Sequence, residues 1–221
     1  ISIKDLLFTK NVRTTSGSLL LKDFVPEYDS IAVERVRKAG VVIVGKTNSP
    51  EFGLSGTTEN RLGEACRNPW DTDRTPGGSS GGAAAALAAG MCSIATGSDG
   101  GGSIRIPASF SGLYGIKPTQ GRVARLYPSP GGWGQFGQNG PMSRNVRESV
   151  LLLSVMSGPD HRAPPCLQEL PPNFNDAFNG DVRGLRIAWS PVYVSLPVDP
   201  QVAACTTAGV GIETAVFAGR D

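Results

Sequence analysis

The sequence predicts an α/β fold, a β-sheet core covered by helices on both faces, and three observations carry that expectation. Short alternating or β-branched runs, "ISIKDLLF", "VVIVG" and "CSIATGS", are separated by helical patterns, and strand–helix alternation of this kind builds a sheet buried on both sides. With 221 residues and 39% apolar content the chain can fill a core. Its 29 glycines and 17 prolines predict many loops between the elements.

Taken in order, residues 1–8 alternate apolar and polar positions and read as an opening strand followed by a turn. "DSIAVERVRKAG" is a helix with Asp29 or Ser30 as N-cap, Ile31, Val33 and Val36 as its apolar positions, basic residues in its last turns and Gly40 as terminator. Residues 41–45 read as a short buried strand, "GGAAAALAAG" as a helix and "CSIATGS" as a second strand. Residues 120–141, dominated by Gly and Pro, read as a long pocket-shaping loop. "NVRESVLLLSVMSG" is a helix closed by Gly158, residues 159–172 a surface connection, "GLRIAWS" a strand, and residues 199–218 a helix. Another strand is expected where the chain stops. We therefore read residues 1–221 as a single domain incomplete at both ends, a fragment of its fold.

Charge narrows the partners. Twenty-one basic residues face 19 acidic ones, and their scatter forms no stripe for nucleic acid or an anionic membrane. The apolar runs are shorter than the roughly 20 residues that span a bilayer, and no signal peptide opens the chain. Cys66, Cys92, Cys166 and Cys205 show no metal-type spacing, which predicts reduced thiols, a cytoplasmic location and no metal. A small molecule is the expected partner.

Residues 40–47, "GVVIVGKT", match the phosphate-binding expression GxxxxGKT letter for letter. That motif needs a pliant loop running directly into a helix, whereas these variable positions are strand formers and Pro50 stands where the helix would be established. The reading is a strand end with a solvated Lys46.

"TGSDGGGSIR" leads three glycines into Ser103. A serine nucleophile needs a base within hydrogen-bond reach. His161, the sole histidine, lies in a surface-type turn, "GPDHRAPP", and the GxSxG elbow of another hydrolase class is missing. Lysine serves as a base when burial lowers its pKa. Lys4 lies among Ile1, Ile3, Leu6, Leu7 and Phe8; it is either desolvated there or points outward from an edge strand. "TPGGSSGGAAAALAAG" supplies Ser79 and Ser80, which cap the following helix on the simplest reading. One helix and one strand separate the two serine–glycine clusters, so both can meet at one end of neighbouring elements with Ser79 near Ser103.

The stretch "TPGGSSGGAAAALAAGMCSIATGSDGGGSIRIPASFSGLYGIKPTQGR" resembles the signature region of the amidase signature family of serine hydrolases. The similarity runs from "ISIKD" through "GKTNSPEFG", "NPWDTDRTPGG" and "GPMSR" to "GLRIAWSP", nearly the whole chain. The resemblance implies the amidase signature fold, a mixed β-sheet, and a Ser-cisSer-Lys triad: Ser103 as nucleophile, Ser79 as bridging serine and Lys4 as base. It implies an oxyanion site on the amides of Gly100, Gly101, Gly102 and Ser103, with Ser80, Asp99 and Arg105 in support; an ordinary solvated pair is the alternative for the last two. The implied reaction is hydrolysis of a small carboxylic amide through an acyl-enzyme, without cofactor, metal, nucleic acid or membrane, and a homodimer stays open. The A subunit of a glutamyl-tRNA amidotransferase resembles the sequence too. There the segment after the nucleophile commonly reads "IRQPA", whereas Ile106 is apolar here, which favours a free-standing amidase acting on aliphatic or aryl amides. A phosphate-binding module without catalysis is the alternative of another class. Gly100 departs from the family, which often carries Thr or Ile there. Trp133 and Phe136 either line an apolar acyl site or pack on the body of the protein.

Overall fold

A computed structural model describes residues 1–126, 134–163, 165–180, 183 and 196–211. Their elements are β1 (Ser2–Lys4), α1 (Ile31–Lys38), β2 (Gly45–Thr47), α2 (Gly81–Ala88), β3 (Ile94–Asp99), α3 (Arg105–Phe110), β4 (Tyr114–Gly115), β5 (Gln138–Ser143), α4 (Val146–Met156) and α5 (Pro200–Gly211). The chain divides into two compact units, Ile1–Asn175 and Asp176–Asp221. In the second, Asp199 caps α5 by accepting from the Gln201 N–H at 2.8 Å.

The first unit is built on a mixed five-stranded sheet in the order β2-β1-β3-β5-β4. β1 runs parallel to both β2 and β3, while β5 is antiparallel to β3 and β4. Successive strand residues face opposite sides, and here that alternation sorts the core. Ile1 and Ile3 pack with Val33 and Val36 of α1 and with Leu152 and Met156 of α4 on one face. Ala95 and Met142 pack with Ala83, Ala84 and Leu87 of α2 and with Ala108 of α3 on the other. Helices thus cover both faces, as the alternation predicts.

Local chemistry explains the helix ends. Asn145 caps α4 by accepting from the Glu148 N–H at 3.0 Å. Ser30 holds the N-cap position of α1, and Gly40 ends that helix in the left-handed region at φ 76°. Arg35 ties α1 to the end of α4, donating to the carbonyls of Met156, Gly158 and Pro159 at 2.7, 3.0 and 2.8 Å.

Two expectations change. The strand expected at 41–45 is instead Gly45–Thr47, and Val42 and Val44 are 75% and 62% exposed. Their β-branched run supplies propensity, which packing overrides. The loop expected over 120–141 ends in β5, all of whose residues are buried. Pro141 lies inside that strand; it lacks an N–H, yet its carbonyl accepts from Ile116 at 3.1 Å. The short α3 and β4 carry no pattern long enough to be read from the sequence. The expected strand "GLRIAWS" and the last residues of the expected 199–218 helix lie outside the described residues.

Candidate active site

Because Ile3 faces α1 and α4, Lys4 must face the other side, where the start of α2 lies. Lys4 is fully buried, and its Nζ is 2.7 Å from Ser79 Oγ, 2.8 Å from Ser80 Oγ and 3.4 Å from the Ser98 carbonyl. Its own N–H donates to Thr96 Oγ1 at 2.9 Å, which fixes the strand beside β3. The outward-pointing alternative does not hold, because β1 is an inner strand with neighbours on both sides. Burial drives the Lys4 pKa well below its usual value; the Asp99 carboxylate opposes that shift and the Arg125 guanidinium adds to it. The positive end of α2 acts in the same direction as burial.

Ser79 follows a cis peptide bond from Gly78. Neither serine caps α2 with its side chain: Ser80 occupies the N-cap position without such a bond. Thr58 replaces it, its hydroxyl accepting from the Gly81 N–H at 3.1 Å and donating to the Gly77 carbonyl at 2.8 Å. The helix sits tightly on the end of β2, since a Cβ at Gly82 would meet the Asn48 backbone N and O at 2.5 Å. Ser80 Oγ also lies 3.3 Å from both the Ser98 N–H and the Ser98 carbonyl.

Ser103 is on the turn between β3 and α3. Its carbonyl accepts from the Ser80 N–H at 3.1 Å, a direct backbone bridge between the two serine clusters. Ser103, Ser79, Ser98, Asp99 and Gly100 line one cavity of about 50 Å³ with Leu6, Leu7 and Phe8. Among the described residues no hydrogen bond joins the Ser103 and Ser79 hydroxyls; such contacts commonly tighten only when substrate binds.

Asp99 organises the turn. Its carboxylate accepts from the amides of Gly102, Ile104 and Arg105 at 2.7, 3.1 and 3.3 Å, and from Arg105 Nε and Nη2 at 3.0 and 2.9 Å. Burial by itself would raise the Asp99 pKa, but the Arg105 guanidinium and the Gly102 and Ile104 amides outweigh it and hold it at about 2. The Gly102 amide, expected in the oxyanion set, is thereby committed to Asp99, and Gly102 takes φ 121°, which a side chain would resist. Among the described residues the Gly100, Gly101 and Ser103 amides have no protein acceptor.

Several expectations fall elsewhere. Lys46 is not solvated: its side chain is 12% exposed, and Nζ reaches the Leu7 carbonyl, Thr9 Oγ1 and Thr14 Oγ1 at 2.6, 3.0 and 2.8 Å. Phe136 is 68% exposed and outside the cavity lining, and Trp133 lies outside the described residues. His161 is exposed. Ile106 packs against the glycines, where a Cβ at Gly77 would lie 3.1 Å from its Cγ2. Tyr28, Ser30, Arg125 and Asn139 also line the cavity. The sequence offers Ser30 only as a helix cap, and nothing in it singles out Tyr28, Arg125 and Asn139, which reach the cavity from separate segments. All four cysteines are free. Among the described residues no cluster of three or more His, Cys, Asp or Glu could hold a metal, and no helix is long and apolar enough to cross a membrane.

The sequence pattern of the amidase family spans residues 1–210. The chain belongs to the amidase family. Among its amidase relatives, the A subunit of the glutamyl-tRNA(Gln) amidotransferase from a Roseiflexus species is 42% identical over 212 residues, which is 96% of this chain and 43% of that protein. A bacterial aryl acylamidase of the amidase signature enzymes superposes with a TM-score of 0.88 at 34% identity, covering 98% of this chain and 45% of that one. The corresponding glutamyl-tRNA(Gln) amidotransferase chain of Thermotoga maritima gives a TM-score of 0.69 at 40% identity, over 76% of this chain and 37% of that one. This amidase chain therefore spans less than half the length of the relatives it matches.

Proposed function

We propose that the chain carries the catalytic serines of an amide hydrolase. The observation that carries this reading is the buried Lys4 amine 2.7 Å from Ser79. An uncharged amine has two N–H groups and one lone pair. Ser80 is engaged with both the N–H and the carbonyl of Ser98, so it accepts from Lys4; the second Lys4 N–H faces the Ser98 carbonyl. The lone pair is left for the Ser79 hydroxyl. As Ser103 Oγ attacks the amide carbonyl, Ser79 takes its proton and passes its own to Lys4. The tetrahedral oxyanion is held by the amides of Gly100, Gly101 and Ser103, each donor contributing on the order of 3 kcal/mol. The proton returns to the leaving nitrogen, ammonia or an amine departs, and water cleaves the acyl-enzyme to the acid.

Small aliphatic or aryl amides are the substrates we favour, in keeping with Ile106 beside the nucleophile turn. A second reading is glutaminase activity within an amidotransferase that needs partner chains. It draws on the 42% identity to one such amidotransferase chain and on the Arg125 side chain at the cavity, a counter-ion for a substrate carboxylate. Comparing hydrolysis of p-nitroacetanilide and glutamine by the full-length protein, alone and with its partner chains, separates the two: p-nitroacetanilide turnover by the protein alone supports the first reading, and glutamine turnover that depends on the partners supports the second.

Treating the full-length protein with an alkyl fluorophosphonate and mapping the adduct by mass spectrometry tests the shared chemistry. We expect labelling at Ser103, its loss in Ser103→Ala, and a labelling rate about 10²–10⁴-fold lower in Lys4→Ala. An adduct elsewhere, or a rate indifferent to Lys4, overturns the assignment.

A further inference from the structure

The sheet carries a second, largely buried lysine that the relay does not use: the Lys46 side chain is 12% exposed. Ile3 pairs with Lys46 and Lys4 with Thr47, so Lys46 leaves β2 on the face opposite to Lys4. It enters the segment that follows β1. There its ammonium meets the Leu7 carbonyl at 2.6 Å, the Thr9 and Thr14 hydroxyls at 3.0 and 2.8 Å, and Asp5 Oδ1 at 3.5 Å. Thr9 and Thr14 are fully buried, and the other Asp5 oxygen accepts from the Thr15 N–H at 2.9 Å and from its hydroxyl. One cation thus gathers residues 5, 7, 9 and 14, a stretch with no strand or helix of its own to fix it.

That stretch is also a wall of the serine cavity. Leu6, Leu7 and Phe8 line it, and the Phe8 ring rests 5.5 Å from Tyr28, another lining residue. Leu7 is held from both ends: its N–H donates to the Lys4 carbonyl at 2.9 Å and its carbonyl accepts from Lys46. We propose that Lys46 is a positioning residue that sets this wall, and through it the affinity for the acyl part of the substrate, without touching the reacting atoms. The inference rests on the hydrolase reading above. It gives the lysine of the GKT run a task that requires no phosphate.

The charged groups around Lys46 define its pH range. Burial lowers its pKa to about 8, with Asp5 and Asp29 opposing the shift; Arg13 lines a second cavity together with Lys46 and Asp5. Above that pH the ammonium loses a proton and one of its donors, so the wall loosens as pH rises.

The test is inactivation of the full-length protein by an alkyl fluorophosphonate, in which the Ser103 oxygen–phosphorus bond forms and fluoride leaves. Concentration dependence separates the affinity constant from the limiting rate. Lys46→Met is expected to weaken the affinity constant about tenfold or more while changing the limiting rate less than threefold, and to abolish the loss of affinity above pH 8 expected of the parent; Lys46→Arg is expected to restore part of the affinity. Should Lys46→Met not fold, the isosteric Thr9→Val and Thr14→Val carry the same expectation with smaller shifts. Unchanged affinity in folded variants, or a loss confined to the limiting rate, overturns the proposal. A parent protein that is not labelled at all overturns the hydrolase reading instead.

Discussion

Lys4 and Asp99 are both buried, and their surroundings act on their charges in opposite ways: burial pushes the lysine towards its uncharged form, while a cage of donors holds the charge on the carboxylate. On the acid side, protonation of Lys4 removes the acceptor for the Ser79 proton. We expect kcat/KM to fall about tenfold per pH unit below the Lys4 pKa, and a flat profile through mildly acidic pH in steady-state rates would count against the relay. Asp99 makes a prediction about stability. Its folded pKa of about 2 lies below the unfolded value of 3.8, so its contribution is complete above 3.8 and is lost as pH falls towards 2. By linkage it is worth on the order of 2 kcal/mol at neutral pH. Asp99→Asn is expected to lose about that much in urea unfolding at pH 7 and little at pH 2.

The residues show where sequence reasoning stops. The spacing of the two glycine-rich serine clusters sufficed to bring Ser79 and Ser103 to one cavity, since a helix and a strand of known rise return the chain to the same end. Whether Lys4 faced outward depended on having a strand on each side of β1, and no local pattern records how many neighbours a strand has. For Lys46 the motif rejected phosphate on sound grounds, but the solvated alternative failed because its partners, from Asp5 to Thr14, are on another strand's trailing loop.

Elements report the same boundary at larger scale. Helices α1 and α4 were legible from apolar spacing and end signals. β5 was not, because "QNGPMS" has neither alternation nor β-branched residues and owes its strand to β3 on one side and β4 on the other. α2 depends on close approach as much as on propensity. Alanine at Gly82 would be the better helix former, yet the Asn48 backbone leaves no room for its methyl. Gly82→Ala is therefore expected to destabilise by about 1–3 kcal/mol in denaturant unfolding. A stabilising effect would mean that α2 can lift from β2 without cost.

Across the whole unit of residues 1–175, the sheet separates the two larger of three apolar clusters, and the candidate site belongs to both of these. Lys4 is carried by the strand whose other side packs on α1 and α4, while Ser79 and Ser103 are carried by the α2 and α3 side. Arg35, remote from the cavity, locks α1 to α4 through three carbonyls. Arg35→Ala is expected to lower the unfolding midpoint, at a cost of about 2 kcal/mol or more, without changing the fluorophosphonate labelling rate of the folded protein. A slower label in folded protein would reveal coupling through the sheet.

The backbone link from Ser80 to Ser103 has a thermal consequence. A turn stapled to the residue that precedes a buried helix has no private way to fray, because opening it means pulling that helix start out of the interior. Warming should then extinguish reactivity and helical circular dichroism along a single curve, with no temperature window in which an intact body carries a silent serine.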